Sequence, residues 1–559
     1  MRFCRFLFLA FGLTFLTLPA YSLIDMRNAN FSESWLDMTV PSTGFNLRVY
    51  RTYNSRALYN GIFGFGWCTD FETTLRVSVD NTLRVTDCGE GSETEFINAH
   101  KLNSSGNKSI SAIMAMVRRR NPNKDESYFK GIEQQLRINP DLRDEMAKQL
   151  HMPMKIERGV KYYAEGRADD TIVFNGTAYV RTLANGSTQT FDRSGKLIRL
   201  GDRNGNYVKI NRERGEIVSV IDNTGASLQF HYGPNSKYVN EVTGPHGLHS
   251  SYKHKGEDLV EAVDAHGKVY AYAYNNYYNM TRANYPDGTF TEMTYNNDKD
   301  WIMSFRDRRG CLEKYAYNVP NEDHYGSSVV KTCHGKVTNR SKFEFWYGKT
   351  KSGQSYLAQT LAVVNGHSTL TKYHELFGRP IEIKQDKVIT RFTYFPNGDL
   401  KAKSTPNIYQ TYAYMDSCHK LSETVTKINE RGPSSGQTRT KVITTKFYYD
   451  THRCNLDVVK NSDGQYARLT WDFMGRIKTI EDQSRKKLIL TYDERFPGKP
   501  AVITRPGLGS IHFQYNSDGT IDRLEAQKTA DPMAELQVAN MFSNLMDLIS
   551  PATADITNI

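Results

Sequence analysis

Apolar and polar residues alternate in short runs between residues 186 and 318. In the run 268–274, valine or alanine occupies each odd position from 269 to 273, and tyrosine occupies each even position from 270 to 274. A period of two places alternate side chains on opposite faces of an extended chain, so the pattern predicts β-strands. Aromatic and β-branched residues suit a pleated, half-buried surface.

Short turns, many of the form Asp-x-x-Gly, separate these runs. Examples are Asp202–Gly205, Asp222–Gly225 and Asp264–Gly267. The aspartate can accept hydrogen bonds from its own turn, and glycine adopts positive φ without a Cβ clash. The turn glycines recur about every 20 to 22 residues, a period typical of repeat architectures. They are Gly205, Gly225, Gly247, Gly267, Gly288 and Gly310.

Each unit ends in an aromatic residue. These residues are Tyr232, Tyr252, Tyr274, Tyr295 and Tyr317, with Trp471, Tyr492 and Tyr515 in a later stretch. A single hairpin cannot bury its apolar face alone and needs neighbouring hairpins on both sides. The repeats therefore predict one long meandering antiparallel sheet. From residue 319 to about 359 the period blurs, and residues 321–328 are predicted to form a polar loop.

Between residues 109 and 152 the alternation stops and helical spacing replaces it. Ile113 and Val117 are four residues apart, and Asn139 followed by Pro140 predicts a further helix start. We expect a small helical insert between β segments. It either caps an exposed sheet edge, which would otherwise invite aggregation, or acts as a docking element or lid.

Several motifs resemble those of the Rhs/YD-repeat family. Arg51-Thr-Tyr-Asn-Ser55 and Phe63-Gly-Phe-Gly-Trp67 are similar to the segment that precedes the repeats in that family. The repeat motifs are Phe191-Asp-Arg-Ser-Gly-Lys-Leu197, Asp202-Arg-Asn-Gly-Asn206, Ile221-Asp-Asn-Thr-Gly225, Tyr285-Pro-Asp-Gly288, Phe377-Gly-Arg379 and Phe473-Met-Gly-Arg476.

The resemblance implies that the sheet coils into a hollow β-shell, which in some relatives encloses a toxin and in others acts at cell surfaces. The C-terminal core of toxin-carrying relatives is not evident, because Asp531-Pro532 stands without the surrounding motif. We expect no effector domain in this chain. The predicted fold class is mainly β: a long antiparallel YD-repeat sheet coiled into a partial or open β-shell, with a small helical insert.

We divide the chain into five segments. They are a signal peptide (1–22), an N-terminal Rhs-like β segment (23–108), the helical insert (109–165), the YD-repeat sheet (166–528) and a C-terminal helical tail (529–559).

The first 22 residues have the features of a secretory signal. Arg2 and Arg5 precede an apolar run, residues 6–18, and Ala20-Tyr-Ser22 is a small-x-small cleavage site. The apolar run is too short to favour a permanent spanning helix, and we expect no transmembrane segment after signal removal. The sequence therefore predicts export, with the periplasm, the cell surface or the extracellular medium as the final location.

Six cysteines follow the signal: Cys68, Cys88, Cys311, Cys333, Cys418 and Cys454. An even number is typical of disulfides in an oxidising compartment, and six cysteines allow about 15 pairings. Proximity along the chain favours Cys68–Cys88, Cys311–Cys333 and Cys418–Cys454. No C-x-x-C or neighbouring histidine spacing supports a metal site, so we expect no metal.

No catalytic constellation is recognisable. The chain lacks a G-x-S-x-G elbow, an H-E-x-x-H helix and a phosphate-binding P-loop, and turn geometry accounts for the recurring aspartates. We therefore assign no catalytic residue and no cofactor. The formal charge of +11 is spread along the chain, without a basic run interleaved with aromatics, so nucleic acid is not an expected partner.

The leading hypothesis is a secreted, non-enzymatic structural or binding protein whose sheet encloses, presents or binds another macromolecule. The expected partner is a protein that completes or fills the shell, or an envelope polysaccharide. A second hypothesis is a carbohydrate- or cell-envelope-binding surface protein, in which tyrosine and tryptophan rows stack on sugar rings. A third is a hydrolase that uses the helical insert as a lid.

Overall fold

The computed structural model describes residues 23–42, 45–88, 93–98, 105–154, 156–164, 167–350, 355–431, 438–516, 520–526 and 534–553. The predicted signal peptide, residues 1–22, lies outside them. The protein is mainly β, with 56% of residues in strands and 11% in helices. The described strands include one long antiparallel sheet of 36 strands that does not close into a barrel. The predicted fold class, a long antiparallel sheet with a small helical insert, is confirmed.

The chain divides into two compact units. One consists of residues 70–200, and the other of residues 1–69 together with 201–559.

The unit 70–200 contains the helical insert between β-strands. Its elements are β7 (Thr74–Val77), β8 (Leu83–Thr86), β9 (Glu93–Ile97), α1 (Ser105–Arg120), α2 (Glu126–Ile138), α3 (Pro140–Gln149), β10 (Lys161–Ala164), β11 (Arg167–Phe174), β12 (Tyr179–Thr182), β13 (Thr188–Phe191) and β14 (Leu197–Gly201). The insert begins at Ser105, four residues earlier than predicted, because the polar first turn of α1 carries no apolar periodicity.

The insert has an apolar core of its own. Ile113, Val117, Phe129, Leu136 and Leu150 are buried together there. The side chains of Asp125 and Asn139 accept the N–H groups of residues 128 and 142, and these N-caps satisfy groups that a helix start leaves unpaired. Three short helices thus pack into one small bundle.

Buried polar contacts join this bundle to the turn between β7 and β8. Arg143 donates to Asp80 at 2.6 Å, and the carboxylate of Asp144 accepts the Ser78 hydroxyl at 2.7 Å and the Val79 N–H at 2.8 Å. Because both carboxylates have several donors, the attachment is directional as well as apolar. The insert is therefore fixed to the end of this hairpin.

In the other unit the N-terminal segment, residues 23–69, forms short strands. They are β1 (Leu23–Asp25), β2 (Asn30–Val40), β3 (Leu47–Asn54), β4 (Asn60–Gly61), β5 (Gly64–Phe65) and β6 (Trp67–Cys68). β1, β2, β3 and β6 make a four-stranded antiparallel sheet in that order, and β4 pairs with β5.

The rest of this unit is the repeat sheet, in which consecutive strands run antiparallel. The strands are β15 (Tyr207–Glu213), β16 (Glu216–Asp222), β17 (Ser227–Tyr232), β18 (Val239–Thr243), β19 (His249–Lys255), β20 (Asp258–Val263), β21 (Val269–Tyr274), β22 (Met280–Asn284), β23 (Phe290–Asn296), β24 (Trp301–Arg306), β25 (Leu312–Asn321), β26 (His324–Cys333), β27 (Lys336–Lys349), β28 (Ser355–Val364), β29 (His367–Tyr373), β30 (Pro380–Gln385), β31 (Val388–Tyr394), β32 (Leu400–Ser404), β33 (Ile408–Met415), β34 (Lys420–Arg431), β35 (Thr438–Tyr449), β36 (Leu456–Asn461), β37 (Tyr466–Trp471), β38 (Ile477–Asp482), β39 (Lys487–Tyr492), β40 (Pro500–Arg505), β41 (Gly509–Tyr515) and β42 (Ile521–Ala526). A C-terminal helix, α4 (Ala534–Thr553), follows.

The predicted polar loop at residues 321–328 is wrong. β25 and β26 pair as far as Asn321 and His324, which leaves a tight turn between two ten-residue strands. The polar residues lie where β25 and β26 extend beyond the length of the other repeat strands, and their polarity led to the prediction of a loop. Polar side chains are tolerated there because residues 318–323 are exposed.

The turns have the geometry that the Asp-x-x-Gly motif predicts. The carboxylate of Asp264 accepts the N–H groups of His266 and Lys268, both at 2.9 Å, and Gly267 donates its N–H to the Asp264 carbonyl. Gly267 has φ +76°, and the other five predicted turn glycines also have positive φ. The aspartate side chain therefore replaces backbone acceptors that a tight turn cannot supply.

The aromatic residues that end the repeats have a shared role in fixing register. Tyr274 follows a one-residue register shift against β22, and its hydroxyl donates to the Leu259 carbonyl at 2.8 Å. The same bond to a carbonyl 15 residues earlier is made by Tyr232, Tyr317, Trp471, Tyr492 and Tyr515. Except at Tyr317, which pairs with Ser327 in regular register, each of these aromatics thus ties a bulge to the strand before it.

A glycine substitution tests the turn geometry. Gly267→Ala should lower the free energy of unfolding by about 1 kcal/mol, because a Cβ is strained at positive φ although nothing lies within 4 Å of it. Gly131, an exposed position of α2, also has open space, and Gly131→Ala should raise stability by about 0.5–1 kcal/mol. Urea unfolding measures both, and equal shifts of the same sign would refute the turn assignment.

The six cysteines Cys68, Cys88, Cys311, Cys333, Cys418 and Cys454 are disulfide-bonded. Cys311 pairs with Cys333 and Cys418 pairs with Cys454. Cys311 immediately precedes β25 and Cys333 ends β26, so the first of these bonds joins the ends of two neighbouring strands, beside the pair Leu312 and Thr332. Within the described ranges, we find no helix with the length and apolar character required to cross a bilayer.

Candidate interaction face of the repeat sheet

The N-terminal segment docks on one face of the repeat sheet through a fully buried arginine. Arg51, on β3, donates to both carboxylate oxygens of Asp37 on β2 and to the Tyr272 hydroxyl. Asp37 also accepts the Tyr252 hydroxyl at 2.8 Å. Five aromatic rings surround the guanidinium at 4.9–5.9 Å: Trp35, Phe63, Trp67, Tyr252 and Tyr272.

Charge pairing and cation–π contact together offset the cost of burying this ion pair. Burial lowers the pKa of Arg51, but the charge and hydrogen bond of Asp37 together with the Tyr272 and Tyr252 side chains raise it by more in sum, so the guanidinium stays charged. The motif that contains Arg51 therefore supplies a structural anchor between the N-terminal segment and strands β19 and β21.

A second buried contact involves a carboxyl group with an incomplete set of partners. Glu33, on β2, accepts the Tyr285 hydroxyl through Oε1, while Oε2 is buried without a hydrogen-bond partner. Burial raises the pKa of Glu33 to about 7, and the bond from Tyr285 and the charge of Arg308 lower it only in part. Glu33 is thus poised to change protonation near neutral pH.

Two glycines of the Phe63–Trp67 motif allow close approach of backbone and ring. A Cβ on Gly64 would lie 2.7 Å from the Glu257 carbonyl oxygen, and one on Gly66 would lie 2.9 Å from the Tyr53 ring. Both have positive φ, at +119° and +76°. The motif therefore packs its backbone against Tyr53 and against the turn between β19 and β20.

We call the face that contacts the N-terminal segment the covered face. At the other end of the sheet α4 packs on this same face. Val538, Leu545 and Ile549 of α4 join a buried cluster with covered-face residues such as Phe447 and Leu469. The C-terminal tail, predicted as a helix, is therefore docked along its apolar side.

Between these two stretches lies a third, in which most of the described side chains on the covered face are partly or fully exposed. We call strands β28–β32, residues 355–404, the open stretch. A cross-strand row runs from Phe345 on β27 across it, and the side chains of the row are partly exposed except at Phe345 and Thr371. The row consists of Phe345, Thr360, Thr371, Ile383 and Thr390.

The row is uncharged, whereas the opposite face of the same strands carries ion pairs. There Glu382 lies 3.4 Å from Lys372 and 3.2 Å from Arg391, with one residue contributed by each of three neighbouring strands. We call this the charged face. Because exposed pairs of this kind contribute little to stability, the charged face is best described as solvated surface.

The residues singled out from the sequence, the turn glycines and the cysteines, lie in turns and disulfide bonds. The turn glycines lie in open space at the ends of hairpins, and the cysteines are in disulfides. Sequence analysis missed Glu33 and Asp37, whose partners on the repeat sheet, Tyr285 and Tyr252, lie more than 200 residues away along the chain. A signal was present in β2, where Glu33 and Asp37 occupy alternate positions with Trp35 on what would be an apolar strand face.

Comparison with known proteins gives limited matches. A family model described as "Domain of unknown function (DUF6531)" matches residues 22–96, which include the N-terminal segment. No curated protein matches the chain.

Similar solved structures include those described as TcdB2-TccC3 and as TcdB2-TccC3-Cdc42. Both are 10% identical and cover 90% of this chain, with TM-scores of 0.40 and 0.36. A Photorhabdus luminescens Tc holotoxin pore has a TM-score of 0.31 at 10% identity, again over 90% of this chain. This chain spans 30–32% of the length of those chains.

Proposed function

We propose that this is an exported, non-enzymatic protein of the Rhs-like type, whose repeat sheet encloses, presents or binds another macromolecule. The observation that carries the proposal is the open stretch. The chain covers the two flanking parts of one sheet face with its own N-terminal segment and α4, while the part between them offers a neutral row of threonine, isoleucine and phenylalanine.

A polypeptide is the partner class that suits such a row. Threonine hydroxyls can pair with backbone groups, and the apolar side chains gain from burial, as in the cores of protein interfaces. The absence of charge on the row means that a partner need not strip a buried ion of water. Disulfide bonds support an oxidising compartment, consistent with export.

Site-specific photocrosslinking tests the face that is used. A photoreactive amino acid at position 383 or 390 of the full chain should capture a partner in the producing cells. The same group at position 384 or 391 serves as the control, because these residues lie on the charged face of the same strands. Equal capture from both faces, or capture from the charged face alone, would contradict the proposal.

The non-enzymatic part has a separate test. We expect no turnover of glycans or peptides by the purified protein. Specific turnover that a single Asp or Glu substitution abolishes would overturn this part, and would favour the hydrolase hypothesis instead.

A further inference from the structure

The helix α4 shows which kind of segment packs on the covered face. Its buried residues Val538, Leu545 and Ile549 lie seven and four positions apart, so they occupy one side of the helix. α4 contacts strands from β34 to β41, which span about 34 Å of sheet at a spacing of about 4.8 Å. Its 20 residues are about 30 Å long, so α4 runs across these strands.

The apolar cluster under α4 extends to the boundary of the open stretch. Tyr412 and Tyr414 of β33 pack against that cluster. β33 pairs with β32, which is the last strand of the open stretch. The surface that α4 covers and the open stretch are therefore neighbouring parts of one sheet face.

A lysine lies on the covered face at this boundary. Lys403 of β32 pairs with Phe392, which lies on the same side of β31 as Thr390 of the cross-strand row. Lys403 is partly buried, and its Nζ lies 5.8 Å from the centroid of the Phe392 ring. Among the residues that the structure describes, no carboxylate lies within 4.0 Å of this Nζ.

The charge of Lys403 departs from the pattern of the other repeats. Lys401 is the extra residue of a bulge, and Lys403 follows it by two positions. The corresponding covered-face positions of other repeats hold an apolar residue or threonine; they are Val220, Val242, Ala262, Ala283, Phe305, Thr360, Ile383, Thr424, Val459, Ile480, Ile503 and Leu524. A partner that covers this cation must bring a negative charge, because an unpaired buried charge is costly.

We propose that the open stretch binds an amphipathic helix of a partner polypeptide, and that a carboxylate of this helix pairs with Lys403. The inference rests on the proposed function and names the form of the partner. The apolar side of the helix lies on the cross-strand row, and its acid lies at the β32 end. From β27 to β32 the sheet spans about 24 Å, which corresponds to about 16 residues of helix.

A helix suits this surface better than an extended strand. Each strand from β28 to β32 is paired on both sides, so the open stretch offers no free backbone edge to a further strand. A helix satisfies its own backbone hydrogen bonds and needs only an apolar side to bind such a face. α4 packs in this way on the neighbouring strands.

Fluorescence anisotropy with a labelled peptide tests the proposal on the disulfide-intact protein. The probe is the sequence of α4 itself, residues 534–553, which contains Glu535 and Asp547 and no lysine or arginine. Because the protein's own α4 occupies its site, the added peptide should bind the open stretch. A photoreactive group at position 383 should capture the peptide, and one at position 384, on the charged face, should not. Absence of binding, or equal capture at both positions, would overturn the proposal.

Charge reversal tests the pairing with Lys403. Lys403→Glu should weaken peptide binding about ten-fold, because it replaces an attraction by a repulsion. A peptide in which both acids are replaced by lysine should show the opposite preference and bind Lys403→Glu more tightly than the native protein. Lys401→Glu, at the exposed bulge position of the same strand, should leave affinity within about two-fold. Equal losses in the two variants, or no reversal with the lysine peptide, would contradict the pairing.

A proline in the peptide tests the helical form. Asn544 is exposed in α4, so Asn544→Pro removes no apolar contact but breaks the helix, and binding should be lost. Asn544→Ala is the control and should bind like the unchanged peptide. Equal binding of the proline peptide would assign the open stretch to an extended segment instead.

The same variant separates this inference from the proposed function in the producing cells. A photoreactive group at position 383 should capture a partner from the native protein, and Lys403→Glu should reduce that capture. Unchanged capture would overturn the pairing and leave the proposed function standing. Absence of capture by both proteins would contradict the proposed function as well, and capture of a second copy of this chain would assign the open stretch to self-association.

Discussion

Replacing Arg51 by alanine is expected to release the N-terminal segment from the repeat sheet. The change leaves Asp37 buried without its cation and empties the space inside five aromatic rings. Removing one partner of a buried ion pair costs about 3–5 kcal/mol. Hydrogen–deuterium exchange should show faster exchange in β2 and β3, and urea unfolding should show the lower stability.

Arg48→Ala is the matched control for this experiment. Arg48 lies three residues earlier on β3 and is exposed, so the same substitution should change stability by no more than about 0.5 kcal/mol. A double variant, Arg51→Met with Asp37→Leu, should recover much of the loss because it removes both charges together. If Arg51→Ala unfolds at the same urea concentration as Arg48→Ala, the anchoring role is wrong.

The turns of the repeat sheet could be predicted because their physics is local. The Asp264 carboxylate, the glycine three residues later and the intervening N–H groups lie within five residues of one another. The strands between the turns were predictable for the same reason, since alternation is a property of neighbouring residues. A local rule failed at residues 321–328, where polar side chains belong to exposed strand ends rather than to a loop.

The contacts of the N-terminal segment could not be predicted, because they join residues that are distant in sequence. Arg51 meets Tyr272 across 221 positions, and no periodicity links β3 to β21. The motif resemblance drew attention to Arg51 without indicating Asp37 as its partner.

The stability of the protein should depend on pH through Glu33. A carboxyl group whose pKa is raised on folding binds its proton more tightly in the folded state than in the unfolded state. Its protonated form therefore supports folding below about pH 4.5, and this contribution is lost as the pH rises from 4.5 to about 7. The difference between those two values corresponds to about 3 kcal/mol at pH 8.

Glu33→Gln should remove this loss while keeping an oxygen that accepts the Tyr285 hydroxyl. The stability advantage of Glu33→Gln over the native protein should grow as the pH rises from 4.5 to 7 and should stay constant above pH 7. Glu322→Gln, at an exposed position, is the control and should show no such window. Urea unfolding of the native protein and the two variants from pH 4 to pH 8 measures the differences in their free energies of unfolding. The contributions of all other titrating groups are the same in the three proteins and cancel in these differences.

Because Glu33 lies where the N-terminal segment contacts the repeat sheet, the same pH experiment also tests whether that segment is tightly docked. Tyr285 and Arg308 of the sheet face Glu33, and Arg308 also pairs with Asp287 and lies 4.2 Å from the Tyr285 ring. Arg308 favours the charged form of Glu33, so Arg308→Ala should raise the pKa of Glu33 and move the window to higher pH. If the window does not move, desolvation alone governs Glu33; if there is no window, Glu33 is solvated and the segment is not tightly docked there.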